Sequence, residues 1–105
     1  MERKVWKGRI KSGCEAEYIK RHDEIWPELV ETLKKAGICN YTIFISGSEL
    51  FGYYECEKGI AFVDDVKSKS DVVARWNEYM KDILEVEIDS ETGSALPMLQ
   101  VFRMD

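Results

Sequence analysis

Apolar residues recur every three to four positions between residues 15 and 35, and this spacing predicts an amphipathic helix. At 100° per residue they occupy a sector roughly 140° wide, with charged side chains opposite. Ser12 and Glu15 have the spacing of a capping box, with Ser12 as the N-cap. Pro27 lies inside the run, so we expect a kink there, or a break at which a second helix begins. The apolar positions are Tyr18, Ile25, Trp26, Leu29, Val30 and Leu33.

Four segments have strand character. Residues 4–10 are a plausible first strand, and residues 39–45 and 50–56 are rich in aromatic and β-branched side chains. The sequence Ser46-Gly47-Ser48 between the latter two predicts a hairpin with a short turn. Residues 99–104 are predicted to form the last strand.

Two further helices are predicted at residues 59–68 and from Ser70 to about Leu84, followed by an acidic loop at residues 85–96. With the first helix and the strands, they give a βαββαβ-like order over a single domain, residues 1–105. This order is typical of an α+β sandwich, in which helices cover one face of a mostly antiparallel sheet.

Both faces of the predicted sheet carry large apolar side chains. A sheet that helices cover on one side alone should have a more polar second face. We therefore expect a second subunit to cover that face, in a homodimer. The two alternating sets are Tyr41, Ile43 and Tyr54 on one face, and Phe44, Phe51 and Tyr53 on the other.

The chain has 105 residues and a formal net charge of -5, which disfavours nucleic acid and anionic membrane surfaces as partners. Residues 1–10 lack the apolar core of a secretory signal, and no apolar run is long enough to span a bilayer. The three cysteines Cys14, Cys39 and Cys56 are widely spaced, which favours neither a disulfide framework nor a zinc site. We expect a reduced, cytoplasmic protein.

The only histidine, His22, is the most informative residue for chemistry. Helix geometry places Tyr18, His22 and Trp26 on one face that points into the protein. A buried imidazole needs a partner or a polar cavity, and a core histidine bonded to a backbone carbonyl is the simple alternative. A site for proton transfer is the functional alternative, because histidine titrates near neutral pH and flanking aromatic rings are typical of carbohydrate pockets.

Other chemistry has little support. The carboxylates of residues 64–65 and 85–91 are expected to form a solvated surface, and one histidine with scattered cysteines is a poor basis for a transition-metal site. Motifs for nucleotide binding and for serine hydrolysis are missing.

Four blocks of the sequence resemble the L-rhamnose mutarotase family. They are residues 17–29, with the pattern Tyr-x-x-x-His-x-x-x-Trp-Pro, residues 37–44 with Asn40-Tyr41, residues 75–80, and residues 100–102. The resemblance implies a ferredoxin-like subunit that pairs sheet to sheet into a dimeric α+β barrel. It also implies an isomerase that interconverts the α and β anomers of a 6-deoxysugar, L-rhamnose or a related aldose, without a metal or organic cofactor.

The same resemblance implies roles for individual residues. His22 would be the proton donor, and the sugar-binding residues would be Tyr18, Tyr41, Trp76 and Asn77. Asn77 departs from the family, which typically has a second tryptophan there, so an amide with hydrogen-bonding groups replaces apolar area. Trp6 and residues 85–96 also differ from the usual members.

Mutarotation opens the hemiacetal, rotates the C1–C2 bond and closes the ring on the other carbonyl face. We expect His22 to protonate the ring oxygen while Tyr18, Tyr41 or a water handles the anomeric hydroxyl; Trp26 either lines the pocket or belongs to the core. Three alternatives remain open: a non-catalytic sugar-binding or sensor module, a dimeric-barrel enzyme resembling the small monooxygenases, and a purely structural dimer.

Overall fold

The computed structural model describes residues 1–105 as an α+β sandwich. The sheet is antiparallel with strand order β2-β3-β1-β4, which is the ferredoxin-like arrangement and confirms the predicted fold class. In chain order the elements are β1 (Glu2–Ile10), α1 (Glu15–Asp23), α2 (Pro27–Lys35), β2 (Ile38–Ser46), β3 (Glu49–Cys56), α3 (Ile60–Ser68), α4 (Asp71–Met80) and β4 (Leu84–Val86).

The central strands β1 and β3 direct alternate residues toward the helices. Lys4 lies opposite Tyr54 in the register, and Trp6 lies opposite Gly52. A Cβ atom at Gly52 would collide with the Trp6 indole, so the glycine lets the ring lie flat on the sheet. This inner face, between sheet and helices, holds the core.

The helical run is broken at Pro27, which confirms the second of the two expectations for this residue. Helix α1 ends at Asp23, and Pro27 is the first residue of α2, where its missing N–H costs nothing. Trp26 is the extended N-cap of α2, with φ -64° and ψ 127°.

The capping box predicted at Ser12 is wrong. The N-cap of α1 is Cys14, which makes no side-chain capping bond. The Cys14 N–H bonds to the Lys11 carbonyl at 3.0 Å, and Gly13 has φ +80°, so a tight turn occupies this segment and delays the helix start. The expected start at Ser70 is confirmed, because the Ser70 hydroxyl accepts a hydrogen bond from the Val73 N–H at 3.2 Å.

The strand predicted at residues 99–104 is also wrong. The fourth strand is Leu84–Val86, at the end of the predicted helix and the start of the predicted loop, and it takes the free edge of β1. Contact with β1 continues to Met98, whose N–H donates to the Val5 carbonyl at 2.6 Å. Beyond it the chain leaves the sheet and forms no strand. Four apolar side chains there are 75–88% exposed: Leu99, Val101, Phe102 and Met104.

No helix of this chain has the length and apolar character needed to cross a bilayer.

Candidate active site

His22 lies in the last turn of α1 and is half-buried. Its Nδ1 is 3.2 Å from the backbone carbonyl oxygen of Tyr18, and the two rings stack with centroids 4.3 Å apart. A carbonyl oxygen can only accept, so Nδ1 carries the hydrogen of the neutral ring. The geometry therefore assigns the lone pair to Nε2, the nitrogen that is free for proton transfer.

Burial keeps this imidazole neutral at physiological pH. Desolvation lowers the pKa of His22 below 6.5, partly opposed by the bond to the Tyr18 carbonyl and by the charge of Asp23. The neighbouring Tyr18 is only 4% exposed, and burial raises its pKa, so its phenol stays protonated. The pair thus offers one proton acceptor and one phenolic donor side by side.

Arg21 fixes the rotation of α1 that directs His22 inward. Its guanidinium donates to Glu17 at 2.7 Å, to the Tyr79 carbonyl at 2.7 Å and to Asp82 at 2.9 Å. It also lies 4.3 Å from the centre of the Tyr79 ring. These contacts join α1 to the end of α4. Only the Glu17–Arg21 spacing, a common helical ion pair, pointed to this residue in the sequence.

Trp76 on α4 covers the other side of the imidazole. Its ring meets His22 edge to face at 5.5 Å and Trp26 at 5.1 Å, and Trp26 also stacks on Tyr79 at 5.5 Å. Because α1 ends at Asp23, Trp26 does not continue the Tyr18–His22 row as predicted. Its contacts are those of a side chain that packs α2 against α4.

Tyr41 reaches the inner face through an irregularity in β2. The pairing with β3 shifts between Cys39 and Thr42, and Asn40 adopts φ +50°. The Tyr41 hydroxyl accepts a hydrogen bond from Nε1 of Trp6 at 3.0 Å. Tyr41 as a whole residue is 38% exposed, but its hydroxyl lies inside the protein, and this burial raises the pKa of Tyr41 to about 12. The hydroxyl hydrogen is free to donate to a ligand.

Trp6 was missed as a partner of the site, although the sequence contained a signal for it. Where a tryptophan pairs with a glycine across a sheet, the indole can lie flat on the backbone. Only the strand register shows that Trp6 faces Gly52 and reaches Tyr41.

An open pocket of about 150 Å³ lies beside His22. Its walls are mainly apolar, with the imidazole and the ring of Tyr18 on one side. Asn77, the last of the predicted binding residues, is exposed on α4 and makes no side-chain hydrogen bond within the chain. The pocket residues are Tyr18, Ile19, His22, Asp23, Ile43, Ile45 and Leu50.

The cysteines Cys14, Cys39 and Cys56 are unpaired thiols. No three histidine, cysteine or carboxylate side chains are grouped so that they could hold a metal ion.

The chain is similar to known proteins over its whole length. A family model described as L-rhamnose mutarotase matches residues 3–104. The L-rhamnose mutarotase of Tolumonas auensis is 40% identical over 104 residues, which cover 97% of each chain. That of Jannaschia sp. is also 40% identical, over 99% of each chain. The crystal structure of L-rhamnose mutarotase from Formosa agariphila superposes with a TM-score of 0.78 at 30% identity and covers 100% of both chains.

The ferredoxin-like fold and these likenesses together define an isomerase of the class that interconverts sugar anomers. Within that class the chain belongs to the L-rhamnose mutarotase family. This confirms the family membership that the Tyr-x-x-x-His-x-x-x-Trp-Pro element predicted.

Proposed function

We propose that this protein interconverts the α and β anomers of a 6-deoxyaldose, L-rhamnose or a close relative, with His22 as the acid/base. The observation that carries the proposal is the state of His22 in a chain of this family. It is half-buried and neutral, its Nδ1 is occupied by the Tyr18 carbonyl, and it borders an open pocket. The protein would act on free sugar in the cytoplasm.

The neutral imidazole changes the division of proton transfers expected from the sequence, because a neutral ring must accept a proton before it can protonate the ring oxygen. Nε2 first accepts the proton of the anomeric hydroxyl while the bond from C1 to the ring oxygen breaks and the C1 carbonyl forms. The imidazolium then gives that proton to the oxygen released from C1, which becomes the hydroxyl of C5 in the open-chain sugar. After rotation about C1–C2, the reverse steps close the ring on the other face. His22 is thus regenerated, and no proton is gained or lost.

The predicted binding residues fit roles around this step. The hydroxyls of Tyr18 and Tyr41 are protonated donors that suit sugar oxygens, and Trp76 offers an apolar face beside the imidazole. Asn77 would contact the sugar from the exposed side of α4, where its amide can both donate and accept.

Saturation-transfer NMR of anomer exchange tests the function. We expect acceleration for L-rhamnose, L-fucose or another 6-deoxysugar in a panel that includes the common hexoses. Binding without faster exchange would instead identify a sugar sensor. If no aldose in the panel exchanges its anomers faster and none raises the melting temperature, a sugar function is refuted.

The rate should have an acid limb and no basic limb. As the pH falls through the lowered pKa of His22, Nε2 gains a proton and can no longer accept one, so kcat/KM should drop with a midpoint below 6.5. The raised pKa values of Tyr18 and Tyr41 keep both phenols protonated through about pH 9. The measurement is anomer exchange from pH 4.5 to 9, after subtraction of the uncatalysed rate. A midpoint above 6.5 would contradict the assignment of His22 as initial acceptor.

We also propose a homodimer in which the outer sheet faces meet as a dimeric barrel. On the outer face, Phe44 is 63% exposed and lies opposite Phe51 in the register. The apolar segment of residues 99–104 leaves its own sheet after Met98 with its side chains in solvent. An exposed apolar strand sequence beside an exposed apolar sheet face suits burial against a second copy of the chain.

A further inference from the structure

A buried polar cluster lies between β1, β3 and α3. Lys4, Tyr54 and Asp64 are only 3%, 1% and 9% exposed. The Lys4 ammonium is 4.0 Å from Oδ1 of Asp64, too long for a good hydrogen bond. The Tyr54 hydroxyl and Oδ1 of Asp64 have no hydrogen-bond partner within the chain. Buried polar groups are normally paired, so two unpaired ones in the same place need an explanation.

The cluster adjoins the proposed sugar site. Tyr54 projects from the inner face of β3, and its ring centre is 5.2 Å from that of Tyr41. Tyr18, Trp6 and Tyr54 belong to one buried cluster of side chains. Burial raises the pKa of Tyr54, and the charge of Asp64 adds to the effect, so the phenol is protonated beside this carboxylate.

We propose that Tyr54 and Asp64 form the inner end of the sugar site, where they hydrogen-bond a hydroxyl group of the bound aldose; the role in turnover rests on the proposed function. A protonated phenol is a donor, and an ionised carboxylate accepts. A sugar hydroxyl is both at once, so a single hydroxyl satisfies the two unpaired groups. A methyl group in that position would leave both unsatisfied.

The ring geometry of a pyranose identifies the hydroxyl. With the ring oxygen and C1 at His22, C5 and its methyl group also lie at that end, where Ile43, Ile45 and Leu50 supply an apolar wall. C3 lies across the ring from the ring oxygen, so its hydroxyl points toward the inner end. Tyr54 and Asp64 therefore hydrogen-bond the C3 hydroxyl, while the apolar wall packs against the methyl group of the 6-deoxysugar. Tyr54 is covered in the free chain, so the sugar reaches its hydroxyl only when the side chains above it move apart.

The substitution Tyr54→Phe tests this, because it removes one oxygen and keeps the ring. With L-rhamnose as the probe, KM should rise about tenfold while kcat stays within about threefold. The 3-deoxy analogue of L-rhamnose should bind the unaltered protein about tenfold more weakly than L-rhamnose does. Tyr54→Phe should not weaken binding of the 3-deoxy analogue further, because the analogue already lacks the hydroxyl that Tyr54 would bind.

Tyr53→Phe is the matched control. Tyr53 is the neighbouring residue on the opposite face of β3, and its hydroxyl donates to Glu55 at 2.7 Å. We expect its KM for both sugars to equal that of the unaltered protein. The melting temperature separates a structural role from a binding role: without sugar, Tyr54→Phe should melt at the same or a higher temperature, because it removes an unpaired buried hydroxyl.

A lower melting temperature with unchanged KM would show that Tyr54 is only a packing residue and would overturn the proposal. An equal rise in KM for L-rhamnose and its 3-deoxy analogue would do the same. If the unaltered protein accelerates no anomer exchange, the proposed function fails, but calorimetric binding of the same two sugars still decides the role of Tyr54. Absence of binding by both sugars would overturn this assignment as well.

Discussion

His22→Asn should lower kcat/KM for anomer exchange by about 10²–10⁴-fold, which is the usual contribution of one positioned acid/base. This corresponds to about 3–5 kcal/mol of transition-state stabilisation. Asparagine is the informative replacement, because its amide can still donate to the Tyr18 carbonyl in place of Nδ1 but has no counterpart of Nε2. The measurement is NMR exchange at a pH well above the acid limb.

The fold of this variant must be verified beside its rate. The melting temperature and the binding of L-rhamnose should remain close to those of the unaltered protein, since the lost atom serves the reaction more than the packing. The small residual rate of anomer exchange in this variant should also no longer fall as the pH is lowered through the pKa of His22. A folded His22→Asn protein with full activity would transfer the acid/base role to another group, with Tyr18 as the nearest candidate.

Deletion of residues 99–105 should convert the proposed dimer into a monomer. These residues form no strand, and their apolar side chains are 75–88% exposed, so the deletion removes little from the fold of one chain. Each such side chain contributes about 1.5–3 kcal/mol when it is fully buried, so losing all of them at an interface should weaken association by orders of magnitude. Sedimentation or light scattering at low micromolar concentration measures the change.

Gln100→Ala is the control for the deletion, because it alters a polar side chain of the same segment and leaves every apolar one in place. It should remain a dimer. A truncated chain that still dimerises would restrict the interface to the sheet face around Phe44, and an unaltered chain that is monomeric at high concentration would contradict the dimer itself.

Local patterns predicted most of the fold because they record forces that act within a few residues. The β2–β3 hairpin, the break at Pro27 and the cap at Ser70 all follow from such forces. The capping box at Ser12 failed because a tight turn at Gly13 competes for the same residues. The final strand failed for a different reason. Its composition suits a strand, but a strand needs an edge to pair with, and that partner cannot be read from the segment itself.

The residues of the proposed site likewise fall into those that local sequence patterns predict and those that only the fold brings together. The stacking of Tyr18 and His22 follows from positions one helical turn apart, and the structure shows it directly. Trp6, Tyr54 and Asp64 belong to β1, β3 and α3, so only the strand register and the packing of α3 bring them together. The irregular pairing near Asn40 has no signature in strand alternation, so the hydrogen bond from Trp6 to Tyr41 could not be predicted.

The imidazole of His22 is oriented by the main chain of its own helix, one turn earlier, and not by an acidic residue brought from a distant strand. Its basicity consequently depends on how tightly neighbouring side chains exclude water and only slightly on remote charges. Ionic strength should therefore have little influence on this group, whereas a change of bulk at Trp76 should retune it. Within such a scaffold, divergence of the surrounding aromatic residues can adjust proton affinity and sugar preference together without moving the reactive group.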